Sequence, residues 1–233
     1  TVAVGALTGT LFVSANPGYN EHANRDEHRL RTASPASNRS FCSDFFEVYR
    51  REIGGSAWWT RAIRFAHWLE TSAAPPQHAL SCWNWAHTQS RLLHHGPGNV
   101  DLIPFHSTAD GFSAMNIGGE AAAALEQIAI ATLRMVINLK DGPRLIFVAS
   151  AGGRKLLECN GTALQLKVGP PISNAYPYSD YLSQYIHLES GKKVVTYGWQ
   201  LFSGNFARLR AKHGLEWQIL AALVRPLARP MGA

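Results

Sequence analysis

Thr10-Leu11-Phe12-Val13-Ser14-Ala15-Asn16-Pro17-Gly18-Tyr19-Asn20 begins as an apolar run and breaks abruptly into a turn. Leu11, Phe12 and Val13 read as a buried strand, expected over Thr10–Ala15. Pro17 fixes its own φ and pushes Asn16 toward an extended conformation. Gly18 removes a side chain immediately afterward, which lets a ligand approach the backbone closely. The expectation is that Asn16 points its amide from the sheet edge into the space above. An amide oxygen there can hold a water molecule without being a strong base, which suits a reaction whose leaving group departs largely unaided.

Downstream, the polar stretch Glu21–Arg39 is longer than an ordinary connection, as functional loops are. Ser43 is expected to cap a helix over Asp44–Ile53, stopped by Gly54-Gly55. A second helix is expected from about Ser56 to Leu69, with Trp59, Ile63 and Ala66 on one stripe and Arg61 and Arg64 off it. Trp58, Trp59 and Trp68 read as core or half-buried packing residues. Pro75-Pro76 breaks the chain before a further helix over Ser81–Leu93. After the Gly96-Pro97-Gly98 turn, Val100–Phe105 reads as a short buried strand leading to His106-Ser107.

Glu120–Leu139, rich in Ala, Leu, Ile and Met, carries the strongest helix signal. Leu145–Ser150 predicts a third strand, turning through Gly152-Gly153 toward a helix over Arg154–Glu158. Leu164–Val168 reads as a short strand, and Gly169–Tyr185 is rich in Pro and Tyr. Lys193–Tyr197 predicts a further strand and Phe206–Arg225 a mostly helical segment. Strands alternating with helices imply parallel pairing with helices on both faces. The expected fold is one α/β domain over residues 1–233: a three-layer α/β/α sandwich around a central, mostly parallel four-stranded sheet. Ligands of such sheets bind beyond the carboxyl ends of the strands, here the turns after Ala15, Phe105, Ser150 and Tyr197.

Composition narrows the function. Hydrophobic residues make up 46% and charged ones 16%, enough apolar material for a substantial core. With 22 Lys and Arg against 16 Asp and Glu the net charge is +6, which suits a polyanionic partner, nucleic acid first and an anionic membrane second. A solvated basic surface gives the same count. Cys42, Cys82 and Cys159 form no CxxC pair, so neither a zinc site nor a disulfide framework is expected and a reducing cytoplasm fits best. No apolar run is long enough to cross a bilayer, and no signal-peptide layout is visible. Gly152-Gly153 fits neither GxxxxGK[ST] nor GxGxxG, and no GxSxG elbow is present.

Ser14-Ala15-Asn16-Pro17-Gly18, after the apolar Leu11-Phe12-Val13, resembles the first motif of the uracil-DNA glycosylase superfamily. The mismatch-specific and single-strand-selective branches carry Gly-x-Asn-Pro-Gly at the end of the first core strand; this chain has Ser14 in place of the first glycine. The order of elements is similar too. Phe41 lies in the loop where the family holds an aromatic against the flipped base. Val100–His106 stands in place of the central strand, Leu145–Gly153 in place of the following strand and turn, and Val194–Phe206 in place of the last strand and DNA-wedging loop. The family's His-Pro-Ser loop is absent, replaced by Tyr197-Gly198-Trp199-Gln200-Leu201-Phe202-Ser203-Gly204. The central strand leads to Pro104-Phe105-His106-Ser107 rather than to the Asn of several branches.

The resemblance implies a monofunctional DNA glycosylase that flips a uracil out of the stack and hydrolyses its N-glycosidic bond. Asn16 is then the catalytic residue, with Pro17, Gly18, Tyr19, Phe41, His106 and Ser107 around the base. Phe41 or Tyr19 offers the stacking surface, and His106 with Ser107 the polar contacts. Gln200, Phe202 and Ser203 are DNA-binding candidates, Phe202 as the wedge or, alternatively, as a core residue. Gln200 or Trp199 is the candidate for the missing histidine donor. Arg208, Arg210, Lys212, Arg225 and Arg229 are phosphate contacts or a solvated helix face. Glycine at position 18 leaves room for bases other than uracil, room that Tyr19 narrows. No metal or organic cofactor is expected; the partner is uracil-containing DNA, single- or double-stranded, bound by a cytoplasmic monomer without a membrane. The alternative is a catalytically silent α/β module that binds nucleic acid or an anionic ligand in the same crevice.

Overall fold

The apolar segments pair into one twisted sheet, seen in a computed structural model that describes residues 10–14, 57–78, 81, 98–102, 119–139, 145–197 and 205–228. In chain order the described elements are β1 (Thr10–Ser14), α1 (Ala57–Thr71), β2 (Gly98–Asp101), α2 (Gly119–Asn138), β3 (Leu145–Val148) and α3 (Ala151–Asn160). Then come β4 (Leu166–Val168), α4 (Tyr178–Tyr181), β5 (Leu182–His187), β6 (Lys193–Tyr197), α5 (Asn205–His213) and α6 (Trp217–Ala228). The expected helix over Asp44–Ile53 lies outside the described residues, as does nearly all of Ser81–Leu93.

The strand order is β2-β1-β3-β6-β5-β4. The first four strands are mutually parallel, with Leu11 opposite Ile146 and Val148 opposite Thr196. The expected sandwich with a mostly parallel sheet is therefore present, but the sheet has six strands rather than four. Beyond the four parallel strands lie β5 and β4, an antiparallel extension in which Leu182 faces Tyr197 and Leu166 faces His187; β4 falls within the short strand expected over Leu164–Val168, whereas β5 was not expected. β5 falls largely within Gly169–Tyr185, whose prolines and tyrosines conceal it. Its polar residues are nonetheless buried: Gln184 Nε2 donates to the Pro170 carbonyl at 2.6 Å, and His187 Nδ1 is hydrogen-bonded to Ser190 Oγ at 2.8 Å. These local partners offset part of the cost of burial, although Gln184 Oε1 remains buried without a hydrogen bond.

Side chains alternate between two cores, as strand geometry requires. Phe12, Leu145, Phe147, Val195 and Tyr197 meet α1 and α6 on one face. Leu11, Val13, Val100, Ile146, Val148 and Val194 meet α2 and α3 on the other. On the first face Phe65 of α1 closes an aromatic trio, its ring 6.1 Å from Phe12 and 5.4 Å from Phe147. Ile63 and Ala66 of the expected stripe are buried, and Trp68 is half-buried with its ring 6.2 Å from Trp217. The side chains of Trp58 and Trp59 lie outside the described residues.

The segment expected as mostly helical over Phe206–Arg225 is so, in two helices. Gly214 has φ +69°, a left-handed conformation that ends α5 with its N–H on the Arg210 carbonyl at 2.9 Å. The chain can then turn α6 onto α1. α1 has no basic residue in its own last turn, and Arg225 of α6 supplies one: its Nε donates to the Leu69 carbonyl at 2.9 Å and its Nη2 to the Trp68 carbonyl. A cation at a helix C-terminus satisfies orphan carbonyls and the helix dipole together.

Candidate functional site

From β1 the chain goes to β2 on one side and later to β3 on the other. That reversal makes the carboxyl ends of β1 and β3 a topological switch point, the place where ligands bind in open parallel sheets. The backbone there is paired to the last residue. The Ala149 N–H donates to the Val13 carbonyl at 3.0 Å, and the Leu102 N–H to the Ser14 carbonyl at 3.0 Å. Ser14 and Asp101 are half-buried at this edge, while Leu102, Ala149 and Ser150 are buried.

Beyond β3, Ser150 caps α3 by accepting the Gly153 N–H on its Oγ at 3.0 Å, in an extended conformation typical of an N-cap. Gly153 is required by proximity: a Cβ there would lie 2.5 Å from Val148 Cγ1 and 2.8 Å from Ser150 Oγ. The Gly152-Gly153 turn thus serves close packing of α3 on the strand from which it springs. Such packing brings the positive end of the helix dipole to the sheet's carboxyl edge.

All ten sequence-predicted site residues lie outside the described residues: Asn16, Pro17, Gly18, Tyr19, Phe41, His106, Ser107, Gln200, Phe202 and Ser203. What is described is the frame from which the chain departs toward them. The chain leaves β1 at Ser14, two residues before Asn16 in sequence, and leaves the end of β2 at Leu102, four before His106. It leaves β6 at Tyr197, three residues before Gln200.

The basic candidates divide. Arg208, Arg210 and Lys212 of α5 are exposed, Arg210 in an ion pair with Glu216 at 2.9 Å. Arg225 is a helix cap, as above, so its expected phosphate contact is replaced by a structural role. Arg229 lies outside the described residues. Among the described residues no cluster of His, Cys, Asp and Glu could hold a metal ion, and no helix is long and apolar enough to cross a membrane.

One grouping at the same edge escaped the sequence. Tyr176 and His213, 37 residues apart, share a hydrogen bond between the phenol oxygen and Nδ1, with their rings edge-to-face at 5.8 Å. His213 also lies 6.0 Å from the Tyr181 ring, and Tyr181 lies 6.0 Å from Tyr197. Tyr197 is fully buried and its hydroxyl has no hydrogen-bond partner. Burial, with Tyr181 and Tyr178 beside it, pushes that phenol well above the ordinary tyrosine range. The tyrosine density of residues 176–185 was the only sequence signal for this grouping; its histidine comes from a separate helix. In comparisons with known proteins, no family model, no curated protein and no solved structure matches this chain.

Proposed function

We propose that the protein is a DNA glycosylase that removes uracil from DNA by base flipping and hydrolysis. The observation that carries this reading is the coincidence of motif and topology. The Asn16-Pro17-Gly18 turn follows in sequence from β1, the strand at which the sheet order reverses. In the proposed reaction the C1′–N1 bond breaks with its electron pair leaving on the base, and a water oxygen bonds to C1′ as it loses a proton. Asn16 positions that water. Phe41 or Tyr19 stacks on the flipped base, His106 and Ser107 contact its polar edge, and Gln200 or Trp199 donates to the anionic leaving group. Phe202 fills the emptied stack, as apolar wedges do. Gly18 admits bases bulkier than uracil. The reaction uses no cofactor, and the protein acts as a cytoplasmic monomer.

The test is incubation with a labelled oligonucleotide carrying one uracil, single- or double-stranded, followed by alkali cleavage of abasic sites. The proposal expects a product band at the uracil position. A second reading, a silent nucleic-acid-binding module, is favoured by the absence of a His-Pro-Ser sequence anywhere in the chain. It predicts retention of the oligonucleotide with no cleavage on either substrate.

A further inference from the structure

Tyr176 is 61% exposed, a large aromatic surface at the edge of the sheet that faces the proposed DNA. An exposed tyrosine is unremarkable singly. This one is braced from behind: His213 holds its hydroxyl and packs edge-on against it, Tyr181 packs on His213, and buried Tyr197 backs Tyr181. The ring is therefore fixed before any ligand arrives, so little side-chain entropy remains to be lost on binding. On α5, the helix that carries His213, Arg208 and Lys212 are exposed and stand four residues apart, on one stripe of the helix. Of the carboxylates nearby, Glu216 is paired with Arg210, and Asp180 accepts a hydrogen bond from Ser179.

An aromatic face combined with exposed cations on the helix that braces it is suited to single-stranded nucleic acid: bases stack on the ring and phosphates follow the charge. We propose that Tyr176, braced by His213, is a stacking platform for an unpaired nucleobase, with Arg208 and Lys212 contacting the adjoining phosphates. This rests on the nucleic-acid reading above and adds a second contact to it. α4 leads directly into β5, and β5 is three strand positions from β1. At about 4.8 Å per strand that is about 14 Å.

The test measures binding of fluorescent single-stranded oligonucleotides, with and without uracil, to the full chain by anisotropy. Tyr176→Ala is expected to weaken binding about 5- to 150-fold, the range that loss of one stacked base produces. Tyr176→Phe keeps the ring and its edge-on contact with His213 but loses the hydroxyl that His213 holds, so it is expected to bind more weakly than wild type and more tightly than Tyr176→Ala. Arg208→Ala and Lys212→Ala should each lower the slope of log K against log salt by about 0.7. Inorganic polyphosphate, which has charge but no bases, should bind wild type and Tyr176→Ala equally.

Unchanged oligonucleotide binding by Tyr176→Ala overturns the platform, even if uracil is cleaved. Equal losses for polyphosphate and oligonucleotide overturn stacking as its cause. Tyr176-dependent binding without any uracil cleavage upholds the platform and removes the glycosylase reading. No binding of nucleic acid by wild type overturns both.

Discussion

The Ala149 N–H reaches the Val13 carbonyl at 3.0 Å, so β1 and β3 remain paired to the point where both chains leave the sheet. One strand leads in sequence to Asn16-Pro17-Gly18 and the other to the N-cap of α3. The switch point is thus bounded by backbone fixed in a sheet, the kind of scaffold from which loops can present functional groups with precision.

Gly153 is the position where that scaffold tolerates least. A methyl group would have to displace Val148 or the capping Ser150 hydroxyl. Gly153→Ala is expected to cost about 1–3 kcal/mol, as overpacking does. Urea unfolding of the two proteins measures it; an equal or higher midpoint for the variant would show that α3 can move away from β3 freely.

The aromatic trio carries the opposite face. Phe65 is fully buried between Phe12 and Phe147. Phe65→Ala should lose about 3–5 kcal/mol, the usual cost of a core aromatic replaced by alanine. A loss below about 1 kcal/mol by the same denaturation measurement would mean that α1 does not pack on the sheet as described.

Tyr197 buries a hydroxyl without a partner, at a cost on the order of 1–3 kcal/mol. Tyr197→Phe keeps the ring and is expected to raise stability by about 1 kcal/mol. The pH dependence has a definite sign. The folded phenol is pushed up by burial and by Tyr181 and Tyr178, while the unfolded one ionises near 10. Its contribution is intact below about pH 10 and is lost as pH rises above that value, because only the unfolded chain releases the proton. Guanidinium midpoints at pH 8 and pH 11 should therefore fall less in Tyr197→Phe than in wild type; an identical fall would place the titration elsewhere.

His67 acts at the acid side. It is buried near the end of α1, and burial pushes its imidazole below the ordinary histidine value, partly offset by a hydrogen bond to the Ala73 carbonyl at 3.2 Å. The Thr71 hydroxyl donates to the His67 carbonyl at 2.8 Å and is left to accept from Nδ1 at 3.0 Å, so Nδ1 carries the proton in the neutral ring. With the folded value depressed, the stabilisation is present above the unfolded pKa of about 6.5 and is lost as pH falls through the folded one. Stability measured from pH 7.5 to pH 5 should drop less steeply in His67→Gln than in wild type. Parallel curves would contradict this.

Much of the sheet was legible because its strands are buried on both faces. Leu145–Val148 is an unbroken apolar run, and Lys193–Tyr197 was located to the residue. β5 was not, since polar Gln184 and His187 do not announce a buried strand until their local partners are known. The break at Gly214 was equally hidden: one glycine inside a helical pattern does not announce a left-handed backbone. For the site, the sequence supplied the Asn16 turn and the structure supplied the strand that leads to it. The Tyr176–His213 pair depends on a tertiary contact across 37 residues, beyond the reach of any local pattern.

The central claim concerns Asn16, and single-turnover cleavage of a uracil-containing oligonucleotide by wild type and Asn16→Ala tests it most directly. Wild type is expected to cleave, and the variant to do so about 10²- to 10⁴-fold more slowly, the range expected when a group that handles the reacting water is removed. Binding of the oligonucleotide should stay within about threefold, since the lost interaction belongs to the transition state. Cleavage at the wild-type rate by Asn16→Ala would contradict the account.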